Sequence, residues 1–164
     1  MGHRAVVISA ERYAQERQVG NWELPVPGIP AGEQVALIAA TAPPVVFALG
    51  RAVREGSVRY TRRLFDAPLP AAGLVDGPLT PDAFAELAAK AGPAAPTRTW
   101  LVGVDLPVEA DSPAEAVRRY WSYLRDLGPG ELPAYVAPIE DELAMQAYLL
   151  GEQAPLDPEE DQGR

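Results

Sequence analysis

The chain has 164 residues, 48% of them hydrophobic, and a formal net charge of −9. That length fits one domain or two very small ones and allows about 70% of the unfolded surface to be buried. Without cysteine there are no disulfides, thiolate chemistry or cysteine-type zinc sites, and the lack of a signal-like start or of a run of about 18 apolar residues makes the cytoplasm the expected location.

Charge divides along the chain. Residues 1–65 hold eight Arg against five Glu, a balance of +3; residues 66–164 hold six Lys+Arg against eighteen Asp+Glu, a balance of −12. Arg51, Arg54, Arg59, Arg62 and Arg63 fall close together. A basic cluster on an acidic chain points to a directed anion contact, because the bulk charge repels polyanions.

Arg4 to Ser9 reads as a buried strand, followed by a short helix or turn over Glu11 to Arg17. Gly20 to Gly32, with three prolines, reads as an irregular loop that presents Trp22. Gln34 to Ala40 and Val45 to Val53 read as strands, and a turn at Glu55-Gly56-Ser57 leads to a partner strand over Val58 to Phe65. Strict alternation there puts Val58, Tyr60, Arg62 and Leu64 on one face and Arg59, Thr61, Arg63 and Phe65 on the other. The arginines therefore divide between faces, with Arg62 either solvated at the strand end or aimed into a pocket.

Ala67 to Thr80 reads as a connector. Thr80 caps a short helix with Pro81 at its first position and Phe84, Leu87, Ala88 and Ala91 as its apolar stripe, ended by Gly92-Pro93. Thr99 to Leu106 reads as a strand. Ser112-Pro113-Ala114-Glu115 forms a capping box that opens a helix to about Leu127, with Val117, Tyr120, Trp121, Leu124 and Leu127 as its buried stripe. Ala134 to Ala137 reads as a strand. Leu143 to Leu150 suits a strand by alternation and a helix by its flanks; the strand is preferred, because the resulting β-α-β-β unit lets the Trp121 helix cover one sheet face. The expected organisation is a module over 1–75, a connector with a short helix over 76–97, the β-α-β-β unit over 98–153, and an acidic disordered tail over 154–164.

Candidate chemistry is sparse. The only histidine, His3, reads as a solvated terminal residue, so a Ser-His-Asp arrangement is not supported. No Gly-rich phosphate loop is present, and Gly50 inside a strand reads as a bulge or a close backbone approach. Asp105, Glu109, Asp111 and the Glu140-Asp141-Glu142 turn match no metal-binding loop and read as solvated acidic surface. Trp100, Tyr120 and Trp121 read as core. Trp22 either closes a small core or forms a stacking wall for a flat ligand.

Ala31-Gly32-Glu33-Gln34-Val35-Ala36-Leu37-Ile38, the Val45 to Val53 strand with Gly50 inside it, and Tyr60-Thr61-Arg62-Arg63 together resemble the PUA-like barrel superfamily, in particular its EVE and ASCH branches. The resemblance covers Arg4 to Phe65. It implies a small PUA-like mixed β-barrel at the N-terminus, which with the β-α-β-β unit read above makes an α+β chain. It also implies a non-catalytic module that recognises a nucleotide or a modified base in DNA or RNA, with no cofactor. Ser9 and Trp22 would then line the pocket, beside Tyr60, with Arg51, Arg59 and Arg62 contacting phosphate or base. Thr99 to Asp161 resembles, more loosely, uncharacterised actinobacterial proteins, which implies no function. The alternative reading is an interaction or regulatory adaptor whose acidic C-terminal half docks a basic protein partner. An enzyme working through carboxylates is a third and weaker reading.

Overall fold

The computed structural model describes residues 2–94 and 96–154. The chain is α+β and divides into two compact units, Met1–Ala95 and Pro96–Arg164. Beyond residue 154 the expected acidic tail lies outside the described residues.

In the first unit, β1 (His3–Ser9) runs into α1 (Ala10–Gln18), followed by β2 (Glu23–Pro25), β3 (Gln34–Ala40), β4 (Val45–Arg54) and β5 (Ser57–Arg63). Two-residue strands β6 (Leu69–Pro70) and β7 (Gly77–Pro78) precede α2 (Pro81–Ala91). The strands form one mixed sheet in the order β2-β5-β4-β3-β1-β7, with β6 added to β4. β1 and β3 are parallel, and the other pairs are antiparallel. The central strand β3 is a near-continuous apolar run because both of its faces are covered.

The two cores lie on the two faces of this sheet. One gathers Val6, Val35, Leu37, Phe47 and Val58 with Tyr13 of α1; the other gathers Ala5, Ala36, Ile38, Val46 and Leu49 with Leu87 of α2. α1 has few apolar residues and is anchored by one aromatic: Tyr13 lies 5.0 Å from Phe47 and 6.0 Å from Phe65, centroid to centroid. Thr80 caps α2 as its sequence requires, accepting from the Ala83 N–H at 3.2 Å. His3 is not a free terminal side chain, since its ring lies 5.1 Å from that of Phe84 on α2.

No closed barrel forms. Among the described residues no pairing joins β2 to β7, so the sheet stays open. Each of these edges is short and carries a proline, Pro25 or Pro78, which lacks the N–H that a further ladder needs.

One register shift changes the faces of β5. Gly50 pairs with Tyr60 while its neighbour Leu49 pairs with Arg62, so Thr61 is an extra residue in the ladder. Tyr60 and Arg62 therefore lie on opposite faces, not on one face as strict alternation requires. Gly50 makes this possible: a Cβ there would sit 2.6 Å from Val58 Cγ1 and 2.8 Å from the Arg59 carbonyl oxygen.

In the second unit, β8 (Trp100–Gly103), α3 (Pro113–Asp126), β9 (Ala134–Pro138), β10 (Gln146–Leu149) and β11 (Glu152–Ala154) follow in order. The strands form an antiparallel sheet, β11-β10-β9-β8. The strand reading of 143–150 holds over its second half, while Leu143 lies before the strand and is 97% exposed. The fourth sequential strand of this sheet, β11, was not expected. Nor does α3 bury the expected stripe: none of its residues is buried, and Trp121 and Val117 are exposed. Trp100, expected in a core, is exposed as well.

Gly50→Ala is expected to destabilise the protein by about 1–3 kcal/mol, because the neighbour it meets is partly backbone and cannot move aside cheaply. Denaturant unfolding of the two proteins checks this; an unchanged midpoint would show that the register shift does not depend on Gly50.

Candidate functional site

The residues expected to form one pocket are dispersed. Ser9 is the N-cap of α1, its hydroxyl accepting from the Arg12 N–H at 3.1 Å. Arg59 pairs with Glu23 at 2.7 Å, and Arg54 reaches the same carboxylate at 3.5 Å. The Ser57 hydroxyl, foremost, and the Arg59 guanidinium hold Glu23 below the usual carboxylate range. Arg51 stands opposite Arg59 on the adjacent strand and is exposed. Arg62 lies on the α2 side, where Nη2 donates to the Ala91 carbonyl at 2.6 Å; its buried Nε has no hydrogen-bond partner among the described residues. Arg62 thus serves the carbonyl end of α2, where a cation suits the helix dipole.

Two of the expected residues do come together, on the α1 side, through groups that the sequence reading passed over. Glu16 of α1 is 2% exposed. Its carboxylate accepts from Tyr60 Oη at 3.0 Å and from Asn21 Nδ2 at 3.3 Å, and pairs with Arg12 at 2.7 Å. Arg12 is the i−4 neighbour of Glu16 on the helix, and Tyr60 arrives from β5 on the same face as Val58, two residues before it. The buried charge is thus paired and hydrogen-bonded, as burial requires.

From this base the cluster extends to the surface. Asn21 offers its backbone carbonyl to Arg63 Nη2. The Arg63 guanidinium lies 5.3 Å from the Trp22 ring centroid and 5.0 Å from that of Tyr60, within cation–π range of both. The Tyr60 N–H donates to the Trp22 carbonyl at 3.3 Å, which ties the loop to β5. Trp22 itself is 81% exposed, so it closes no core. The arrangement is an indole shelf with one guanidinium beside it, standing on a closed polar base.

Glu16 had no motif to announce it. The available signal was its spacing of three from Tyr13, which puts both on one helix face. Among the described residues no group of three or more His, Asp and Glu side chains is placed to hold a metal ion. No helix among them is long and apolar enough to cross a membrane.

Comparison with known proteins finds no matching family model, no similar curated protein and no similar solved structure.

Burial, foremost, and the neighbouring Glu16 charge push the Tyr60 phenol above the ordinary tyrosine range. The folded state thus holds this proton more tightly than the unfolded chain does. Its contribution to stability is complete below the unfolded value of about 10 and is lost as pH rises through the folded value. Tyr60→Phe is therefore expected to flatten the fall in stability above about pH 10 relative to the wild type. Denaturant midpoints measured from neutral to alkaline pH check this, and parallel curves would mean that Tyr60 is not held protonated by the fold.

Proposed function

We propose that the first unit is a non-catalytic module that binds a nucleotide or modified base of a nucleic acid, with the base stacked on Trp22 and phosphate charge met by Arg63. The observation that carries this reading is the exposed indole beside a guanidinium, both held on the buried Glu16–Tyr60–Asn21 network. A large exposed aromatic has no core role, and a fixed one is the usual platform for a flat π-face. The proposal includes kinship with the PUA-like superfamily and a cytoplasmic location. The mixed sheet, with its parallel β1–β3 pair, is compatible with that kinship although it does not close.

The same geometry limits the affinity. The single arginine beside the shelf gives a salt slope of only about −0.7 on single strands, at roughly −0.7 per neutralised phosphate. Most of the binding energy would come from stacking. Base–aromatic stacking contributes about 1–3 kcal/mol per base, so Trp22→Ala is expected to weaken binding about 5- to 150-fold. Arg63→Ala is expected to weaken it less and to flatten the salt slope. Arg62→Ala, on the opposite sheet face, is expected to leave binding unchanged. Fluorescence titration of short single strands, with and without modified bases, at two salt concentrations checks all three. Binding indifferent to Trp22→Ala would overturn the reading.

A further inference from the structure

The second unit carries the entire charge imbalance of the protein. Residues 1–95 hold nine Lys+Arg and nine Asp+Glu, whereas residues 96–164 hold five and fourteen, so the net −9 belongs to the second unit alone. Its sheet also has an unprotected edge. β8 is the terminal strand of the order β11-β10-β9-β8 among the described residues, and all four of its residues are exposed. Trp100-Leu101-Val102-Gly103 contains no proline and no charge, and its pairing with β9 shows no bulge. These are the devices that normally keep a sheet edge from accepting another strand.

The faces on either side of this edge differ. Trp100 and Val102 lie on one face and, with Val136 and Tyr148, line an apolar groove of about 330 Å³. Leu101 and Gly103 lie on the other, where a cavity of about 240 Å³ is also lined by Met145 and by the carboxylates Asp105 and Glu142. A strand added to β8 would send alternate side chains to these two faces.

We propose that the β8 edge is a docking site for an extended basic segment of a partner protein, which joins the sheet as a further strand. Its side chains alternate between apolar residues over the Trp100–Tyr148 groove and Lys or Arg beside Asp105 and Glu142. Backbone ladder bonds supply affinity, and the unlike faces supply the alternating pattern. The net charge of the unit selects a basic segment over an acidic one and disfavours a second copy of this same unit. The inference stands on the second unit only and does not depend on nucleotide binding by the first.

The test uses the full chain and a labelled synthetic peptide of alternating Lys and Val. Binding is expected at low salt, more than about tenfold weaker for a Glu-Val peptide of the same length. Asp105→Asn combined with Glu142→Gln is expected to weaken it about two- to fivefold. N-methylating the amides along one edge of the peptide should abolish binding, while methylating the other edge should not, and this arm leaves the protein unaltered. Amide shifts on binding should centre on residues 100–105. The proposal is overturned by equal loss with either methylated edge, by equal binding of a Lys-Gly peptide of the same charge, or by sedimentation showing a dimer in which residues 100–103 are already protected from exchange.

Discussion

The close approach of β4 and β5 at Gly50 is the constraint on which the first unit turns. A methyl group there would meet Val58 Cγ1 at 2.6 Å and the Arg59 carbonyl at 2.8 Å, so the two strands can be this near only without a side chain. The ladder slips by one residue at that point and Thr61 bulges out. Tyr60 stays on the α1 face with Val58, and beyond the slip Arg62 turns to the α2 face. Each then finishes a different piece of the structure: Tyr60 completes the shell of Glu16, and Arg62 meets the carbonyl of Ala91, the last residue of α2.

The second consequence is electrostatic. α1 brings a carboxylate into the sheet's shadow, where an unpaired charge would be expensive. Arg12, Asn21 and Tyr60 together satisfy it, and two of those partners also reach the surface loop: Asn21 through its carbonyl to Arg63, Tyr60 through its ring and its N–H. A loop rich in proline and glycine thereby acquires a fixed tryptophan. The groups that neutralise Glu16 are also those that tie the Trp22 loop to α1 and β5.

The second unit follows another logic. Its helix buries none of its residues and its sheet leaves Trp100 and Val102 exposed, so little of its apolar surface is removed from water. This exposed apolar surface lies on the unit that carries the net negative charge. Cutting the charge at the unit boundary, and not at Phe65, makes the contrast sharper: the first unit is balanced and the second holds all of the excess.

Periodicity, caps and turn residues made most of the elements legible. Thr80 and Ser112 each cap the helix their positions announce, and the apolar run Gln34 to Ala40 is the central strand. These are local properties, set within a few residues by backbone sterics and side-chain period. What the chain alone could not show was anything that depends on a second segment. The alternation of β5 fails because Gly50, on another strand, admits a bulge. Nothing local marks Glu16, because the Tyr60 and Asn21 groups that close over it come from other segments. Trp121 sits on a helical stripe, but a stripe is buried only where a partner surface lies against it. The sequence by itself determined the elements and the distribution of charge; the tertiary structure decided which faces those elements present, because register and burial are set between strands and helices, not within them.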